Sequence, residues 1–326
     1  MILGSLQSSS LDGELIVIHP NRKQAVRATG IAPNLREALE HWSESEPKLK
    51  ELDKSLRAGS AKGVFDLQED KMHSALPRTW MFADGSAFIH HIKLVRKARN
   101  AEPPETLYTV PLIYQAESGR FLAPRADIPQ VDFSHGTDFE AEVGVIVDHV
   151  PMGISAEEAL QKIRLFVLIN DVSLRGLIPA ELAQGFGFFV SKPNKALSPF
   201  ALTPDELGSA WRDGRVHLPL RVELNGEFFG RANAGEMHFH FGQLIAHAAQ
   251  TRDIAAGSLI GSGTVANEDP SVGSSCLAEK RTIEQINKGK PETPFMKSGD
   301  RVKIWMEDSK GQSLFGTIEQ KVEAIR

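Results

Sequence analysis

The stretch Asp138-Phe139-Glu140-Ala141-Glu142-Val143-Gly144-Val145-Ile146-Val147 joins alternating carboxylates to an apolar strand. Side chains alternate between the two faces of an extended chain, so we expect Glu140 and Glu142 on one face, together with Asp138. Neighbouring carboxylates repel each other unless a positive charge lies between them, and a hard cation held by oxygen ligands is the simplest such partner. A solvated strand end is the alternative that this stretch alone leaves open.

Composition sets limits on the class of protein. The chain has 326 residues, of which 41% are hydrophobic and 24% charged, and this is typical of a globular protein with a sizeable core. The formal net charge is -5 and no dense block of lysine and arginine occurs, which favours neither nucleic acid nor an anionic membrane as a partner. A single cysteine, Cys276, excludes an intrachain disulfide framework and a multi-cysteine metal site. Because no apolar run reaches membrane-spanning length and no signal-peptide pattern begins the chain, we expect a cytoplasmic location.

The first part of the chain shows structural signals and no cluster of catalytic residue types. Residues 14–18 predict a strand, and Asn34 with Glu37 three residues later predicts a capped helix start. A second helix is expected to begin at Pro47 and to end at Gly59. We therefore predict a small N-terminal α/β domain of residues 1–76, followed by a catalytic domain of residues 77–326.

The second part of the chain is rich in predicted strands. The apolar run 165–169 indicates a buried strand, and Asn225-Gly226 indicates a hairpin turn. Residues 302–306 and 314–318 are expected to be the closing strands. Because strands outnumber helices and few βαβ units occur, the pattern favours a β-rich α+β fold over a doubly wound sheet.

A third carboxylate, Asp171, follows the predicted buried strand. An uncompensated carboxylate at the end of such a strand is costly, so Asp171 needs a partner, and turn amides are one alternative. If residues 165–169 pair beside residues 142–147, Asp171 also reaches the two glutamates. Three converging carboxylates suit Mg²⁺, Mn²⁺ or Ca²⁺ better than Zn²⁺, which prefers nitrogen and sulfur ligands.

The stretch 82–91 contains a further carboxylate and two histidines. A short loop there could place Asp84 on a cation and His91 near a metal-activated water, where an imidazole serves as general base near neutral pH. Histidines are also common in surface loops, so a surface position without a catalytic role is the alternative. The basic run that ends at Arg99 is typical of a solvated helix face, with an anion clamp as the alternative.

In combination, these motifs resemble the fumarylacetoacetate hydrolase family over roughly residues 77–326. The motifs occur in the family's order: Asp84 with His91 seven residues later, Asp138-Phe139-Glu140-Ala141-Glu142, Asn170-Asp171-Val172-Ser173-Leu174-Arg175, Lys192 ahead of Ser198-Pro199, and the glycine-rich segment 257–264. The resemblance implies a mixed β-roll catalytic domain, usually a homodimer, that binds one divalent cation. We expect Mg²⁺, with Mn²⁺ or Ca²⁺ as alternatives.

The resemblance also implies roles for individual residues. It assigns the metal ligands to Asp84, Glu140, Glu142 and Asp171, the catalytic groups to His91 and Lys192, and substrate contacts to Ser86, Arg99 and Thr264. The family's histidine-orienting glutamate has no direct counterpart, because the aligned position is Leu277. Glu279, two residues further on, is the candidate for that role.

The activity implied is metal-dependent hydrolysis of a C–C bond in a small-molecule β-diketo acid resembling fumarylacetoacetate or an acylpyruvate. A cation would polarise the carbonyl, His91 would deprotonate water, and Lys192 would stabilise the oxyanion. Two alternatives remain at this point. One is a metal-dependent lyase or isomerase, such as an oxaloacetate-type decarboxylase or a keto-enol isomerase, and the other is a binding protein without turnover.

Overall fold

The computed structural model describes residues 1–98 and 105–325, including their side chains except at 95–98. The strands are β1 Ile2–Leu6, β2 Glu14–Ile18, β3 Gln24–Arg27, β4 Phe65–Asp66, β5 Phe82–Gly85, β6 Ile113–Ala116, β7 Ile128–Gln130, β8 Thr137–Asp138, β9 Ala141–Val147, β10 Ile163–Asn170, β11 Ser173–Leu174, β12 Ala196–Leu197, β13 Phe200–Leu202, β14 Trp211–Arg212, β15 Arg215–Val216, β16 Pro219–Leu224, β17 Glu227–Asn233, β18 Leu259–Gly261, β19 Arg301–Met306 and β20 Ile318–Ala324.

The helices are α1 Leu35–Glu40, α2 Trp42–Arg57, α3 Ile89–Ala98, α4 Ala156–Leu160, α5 Ile178–Ala183, α6 Phe241–Ala248 and α7 Leu277–Lys288. Short 3₁₀ turns occupy Glu69–Lys71, Glu105–Tyr108, Phe133–His135, Pro204–Ala210, Ala234–Glu236 and Pro270–Val272. Within the described part of the chain, no helix is both long and apolar enough to cross a membrane.

One large sheet runs through most of the molecule. Its strand order is β4-β3-β2-β1-β13-β10-β9-β18-β5-β6, and β12 also pairs with β10. Neighbouring strands are antiparallel except β18 and β5, which are parallel. A second sheet, β17-β16-β19-β20-β7, packs against one face of the large sheet through a shared apolar core. Helices α1 and α2 contribute to the core on the opposite face, so the fold is β-rich α+β, as the sequence predicts.

Most of the predicted elements are present with shifted ends. The Asn34 side chain accepts the backbone N–H of Glu37 at 2.9 Å and caps α1, as expected. Helix α2 begins at Trp42 and not at the predicted Pro47, because the backbone N–H of Ser45 already donates to the carbonyl of His41 at 3.0 Å and Trp42 is buried in the core. The turn at Asn225-Gly226 is a tight hairpin with positive φ at both residues.

The predicted strand 314–318 is wrong except at its last residue. Residues 314–317 are irregular, and β20 begins at Ile318. The reason lies at Gly316, whose φ is +71° and where a Cβ atom would lie 2.4 Å from the ring of Pro199. The close approach of these two segments bends the chain before the strand starts.

The N-terminal segment shares the large sheet with the rest of the chain. Strand β1 pairs with β13 through Ile2 and Leu202, which links the first residues directly to the strands that lead into the site. The apolar side chains of α1 and α2 pack in the same core as Ile146 and Leu165 of β9 and β10. The division at residue 76 therefore stays a prediction, because hydrogen bonds and core contacts cross it.

Deleting residues 1–76 tests that division. We expect the remaining fragment to unfold at a temperature lower by about 10 °C or more and to self-associate, because β13 becomes an open sheet edge and an apolar face loses its cover. Thermal unfolding and gel filtration of the fragment and the full chain measure both effects. A monomeric fragment with an unchanged melting temperature would show that residues 77–326 form an independent domain.

Candidate active site

Three buried carboxylates meet where neighbouring strands of the large sheet end. Asp84 lies on β5, Glu142 lies on β9, and Asp171 directly follows β10. One oxygen of each side chain lies within 4.8 Å of the others, and all three residues are buried. The predicted pairing of β9 with β10 is present, with Glu142 opposite Ile169, and this pairing brings Asp171 to the glutamate.

A glycine between the strands makes room for this cluster. Strand β18 separates β5 from β9, and its Gly261 lies opposite both Asp84 and Gly144. A Cβ atom at position 261 would lie 2.1 Å from Oδ1 of Asp84. Only glycine therefore allows this carboxylate to lie over the central strand.

Glu140 lies beside the cluster and contacts cations of the protein. Its Oε1 is 2.6 Å from Nη2 of Arg175, and its Oε2 is 2.8 Å from Nζ of Lys192. It is absent from the set of three converging carboxylates among the described residues. Glu140 and Glu142 line the same cavity, as alternation predicts, but Glu140 is paired with cations of the protein, and a metal-ligand role for it stays a prediction.

Two lysines contact Asp171, on the other side of the cluster. Nζ of Lys192 donates to Oδ2 of Asp171 at 2.6 Å, and Nζ of the fully buried Lys195 lies 3.0 Å from Oδ1. Burial alone would raise the pKa of Asp171, but these two ammonium groups lower it well below its usual range. Asp171 is therefore an ionised carboxylate.

Asp84 and Glu142 lack such partners. Among the described residues, neither lies within an ion-pair distance of a cation, and Oδ1 of Asp84 and both oxygens of Glu142 are buried without a hydrogen-bond donor. Burial and then repulsion by Asp171 raise the pKa of Asp84, while burial and then Asp84 raise the pKa of Glu142. These are the two carboxylates that need a further cation.

The charges of the site fit a divalent cation. The carboxylates Asp84, Asp138, Glu140, Glu142 and Asp171 face the cations Arg175, Lys192 and Lys195. Five negative and three positive groups leave a formal charge of −2 on donors that are all oxygens. Oxygen-only sets suit Mg²⁺, Mn²⁺ or Ca²⁺, and the buried donors without partners lie where such an ion would bind.

The structure pairs His91 with Glu279. Nδ1 of His91 lies 2.9 Å from Oε2 of Glu279, a residue that is only 2% exposed in the first turn of α7. Leu277, the position that aligns with the family's glutamate, is buried in the apolar core. Glu279 is thus the carboxylate in reach of the imidazole, and its functional role remains a prediction.

A cavity of about 540 Å³ connects these groups. It is lined by Asp84, Glu140, Glu142, His91 and Lys192, and also by the two predicted substrate-contacting residues Ser86 and Thr264. Gly263, with a φ of +74°, approaches the backbone of Gly85 and places Thr264 beside Ser86. Arg99, the third predicted substrate contact, lies outside the described residues.

Asp138 has a larger structural role than the sequence indicated. Its fully buried carboxylate accepts the backbone N–H groups of Leu277 at 2.7 Å and Ala278 at 2.9 Å, at the start of α7. It also accepts Nε of Arg175 at 2.8 Å. An anion at a helix N-terminus is stabilising, and this one fixes both the helix that carries Glu279 and the arginine that contacts Glu140.

Sequence reasoning also missed Tyr114 and Phe188. The hydroxyl of Tyr114 donates to Oδ2 of Asp171 at 2.8 Å, and its ring packs edge-on against Phe188 with centroids 5.0 Å apart. Both rings line the cavity and lie near Nζ of Lys192. A lone tyrosine in a short strand carries no signal of this role, because its partner Asp171 is 57 residues away.

Comparison with family models covers nearly the whole chain. Residues 80–323 match the model described as fumarylacetoacetate (FAA) hydrolase C-terminal. Residues 1–78 match fumarylacetoacetase N-terminal domain 2.

Individual relatives share only about a quarter of their residues with this chain over the matched segments. The chain is 27% identical over 221 residues to a 2,4-didehydro-3-deoxy-L-rhamnonate hydrolase from Sphingomonas sp. (strain SKA58), and the match covers 67% of each chain. A putative hydrolase from Burkholderia lata is 26% identical over 60% of this chain and 62% of its own length. The match thus spans less than two thirds of that second relative.

Solved structures share the fold at low identity. A putative HpcE protein from Mycobacterium smegmatis superposes with a TM-score of 0.72 at 17% identity, covering 100% of both chains. A maleylpyruvate hydrolase from Sphingobium sp. SYK-6, in complex with manganese(II) ion and pyruvate, superposes with a TM-score of 0.66 at 14% identity and the same coverage.

Replacing Glu142 tests the carboxylate cluster. Mn²⁺ at about 100 times its dissociation constant should raise the melting temperature of the wild-type protein by about 4 °C. In Glu142→Gln, we expect no such rise and a metal-free protein more stable by a few degrees, because one buried charge and its repulsion are removed. Differential scanning calorimetry with and without Mn²⁺ measures both, and an unaltered metal response would contradict this site.

Asp138→Asn provides the opposite test. We expect its free energy of unfolding to fall by about 2 kcal/mol or more, because an amide cannot accept all three charge-assisted hydrogen bonds. Stabilisation by Mn²⁺ should persist, since Asp138 does not belong to the converging set. Denaturant unfolding and the same calorimetry separate the two effects. Equal loss of metal binding in both variants would show that Asp138 belongs with the ligands.

Proposed function

The chain belongs to the fumarylacetoacetate hydrolase family, and on this premise we propose that it is a divalent-metal-dependent hydrolase of a C–C bond in a β-diketo acid. The substrate class is a small keto acid resembling fumarylacetoacetate or an acylpyruvate. The observation that carries the proposal is the pair of His91 and Glu279 in the same cavity as the buried carboxylates. A base for water and a site for a cation are the two parts that such hydrolysis needs.

The relatives support a hydrolase in this family. The rhamnonate hydrolase and the maleylpyruvate hydrolase are both hydrolases by name, and the latter was crystallised with manganese(II) ion and pyruvate. We propose that this chain also uses a divalent ion as its cofactor, with Mg²⁺ or Mn²⁺ as the candidates. Asp84, Glu142 and Asp171 would hold it, and Glu140 could join them if its contacts with Arg175 and Lys192 rearrange.

A cation bound there would supply Lewis-acid polarisation of a substrate carbonyl. His91 supplies the proton acceptor. With Glu279 ionised, the hydrogen bond between them places the ring proton on Nδ1 and leaves Nε2 with a free lone pair. Nε2 would take a proton from water as the water oxygen bonds to the substrate carbonyl carbon. The electron pair of the breaking C–C bond leaves with the other fragment, which then takes up a proton.

Lys192 supplies a fixed positive charge. Burial alone would lower its pKa, but Asp171 and Glu140 raise it overall, so the group is an ammonium ion. Two of its three N–H donors point to Oε2 of Glu140 and Oδ2 of Asp171. The third is left for an oxyanion that forms in the cavity, where a preorganised donor contributes about a hundredfold or more to the rate.

An isomerase or decarboxylase is the second candidate. Structures with the same fold include a 5-carboxymethyl-2-hydroxymuconate delta-isomerase from Mycobacterium smegmatis, at 17% identity. Decarboxylation needs no proton acceptor, so the contact of His91 with Glu279 favours hydrolysis over that reaction, whereas a keto-enol isomerase would use the same base to move a proton at carbon. A homodimer and a cytoplasmic location, without nucleic acid or membrane as partner, remain predictions from the sequence.

A substitution at His91 tests the proposed base, and labelling with solvent oxygen distinguishes the two reaction classes. We expect His91→Asn to lower kcat on an acylpyruvate by about a hundredfold or more, because water loses its proton acceptor. The matched control is His90→Asn, since the neighbouring His90 does not line the cavity. It should retain wild-type activity. In H₂¹⁸O, the wild-type carboxylate product should carry ¹⁸O, as measured by mass spectrometry. Release of CO₂ or an isomerised product without ¹⁸O would replace the hydrolase with the second candidate.

A further inference from the structure

Lys195 is the second lysine that contacts the carboxylate cluster, and it is fully buried. Lysine is rarely buried completely, because its charge loses solvation, so such a position requires a compensating partner. Lys192 lines the cavity and can reach a substrate, whereas Lys195 is not among the residues that line it. Lys195 can therefore act only through the protein groups around it.

Strand pairing brings Lys195 to Asp171. In the antiparallel pair of β10 and β12, Asn170 lies opposite Ala196. Continuing this register by one residue places Asp171 opposite Lys195, and side chains directly opposite each other lie on the same face. The backbone carbonyl of Lys195 also accepts the N–H of Leu122 at 2.7 Å. The sheet thus fixes the lysine beside the carboxylate.

The two oxygens of Asp171 have different partners. Oδ2 accepts Nζ of Lys192 at 2.6 Å and the hydroxyl of Tyr114 at 2.8 Å, which fill its two lone-pair sites. Nζ of Lys195 lies 3.0 Å from Oδ1, but no donor among the described residues forms a hydrogen bond with that oxygen. This Nζ donates instead to the carbonyl of Pro193 at 3.1 Å. Oδ1 is therefore the oxygen of Asp171 that stays open to a cation.

An ammonium group at this position has opposite effects on the two states of the site. Without a cation, its charge offsets that of Asp171 and reduces the repulsion with Asp84 and Glu142. With a cation on Oδ1, the ammonium lies 3.0 Å from the shared oxygen, and like charges that close repel strongly in a buried site. A group that stabilises the metal-free state and destabilises the metal-bound state lowers the affinity for the metal.

We propose that Lys195 acts through Asp171 as a positioning residue that limits the affinity of the site for its divalent cation. The inference rests on the proposed function, in which Asp84, Glu142 and Asp171 hold that ion. Lys195 stabilises the carboxylate cluster before the ion arrives and keeps the bound ion exchangeable. Occupancy of the site then follows the concentration of the free ion.

Isothermal titration calorimetry with Mn²⁺ alone tests the inference without catalysis. In Lys195→Met, which keeps the apolar stem and removes the ammonium, we expect the dissociation constant for Mn²⁺ to fall by about tenfold or more. The metal-free variant should melt about 5 °C below the wild type, because the carboxylates lose a compensating charge. A purely structural role would also lower the melting temperature, but it would weaken the binding of Mn²⁺ or leave it unchanged.

The matched control is Lys303→Met. Lys303 also loses an ion pair, with Glu223 at 3.5 Å in the second sheet, and it is not among the residues that line the cavity. Its affinity for Mn²⁺ should equal that of the wild type. Lys195→Gln is a second neutral variant that decides the question if Lys195→Met does not fold, and the same gain in affinity is expected.

The outcomes separate this inference from the proposed function. Binding of Mn²⁺ that is unchanged or weaker in the neutral variants of Lys195, or that tightens equally in Lys303→Met, overturns the inference. Binding of Mn²⁺ by the wild type then still keeps the proposed function. Failure of the wild type to bind Mn²⁺ would remove both.

Discussion

Mutual repulsion among buried carboxylates is the constraint on which the rest of this site depends. The large sheet brings Asp84, Glu142 and Asp171 together because β5, β18, β9 and β10 are neighbours, and burial strengthens the repulsion. Lys192 and Lys195 compensate Asp171, which leaves the uncompensated charge on Asp84 and Glu142. The folded protein thus contains an unfavourable repulsion between carboxylates, which a bound cation or protons would relieve. Functional sites commonly contain such destabilising interactions.

Local alternation of side chains accounts for the part of the site that the sequence could predict. Glu142 lies in β9, a regular strand, and its position on the face toward Asp171 follows from strand pairing. Glu140 lies just before β9 and lines the same cavity as Glu142, but its carboxylate contacts Arg175 and Lys192. Asp138 has a separate environment at the start of α7, where it accepts the backbone N–H of Leu277.

Contacts between distant segments account for the part that the sequence could not predict. Asp138 meets the amide of Leu277 across 139 residues, and His91 meets Glu279 across 188 residues. An alignment of motifs places Leu277 at the glutamate position because it relies on residue spacing along the chain alone. In the structure it is Glu279 that contacts His91, since Leu277 is buried in the core and Glu279, two residues further along α7, reaches α3. Likewise, the local sequence pattern predicted the N-terminal strand β2, but no local pattern indicated that β1 pairs with β13.

Helix α7 connects these observations. Its N-terminus is fixed by Asp138, its first turn presents Glu279 to His91, and its next turn presents Arg281 to the cavity. One rigid element thereby fixes Glu279, the carboxylate that reaches His91 on α3. Because the carboxylate cluster lies on the sheet and Glu279 lies on α7, a change in α7 would alter the surroundings of His91 without moving the cluster. A single fold can host several chemistries in this way, because here the sheet carries the carboxylate cluster and the helix carries the groups beside it.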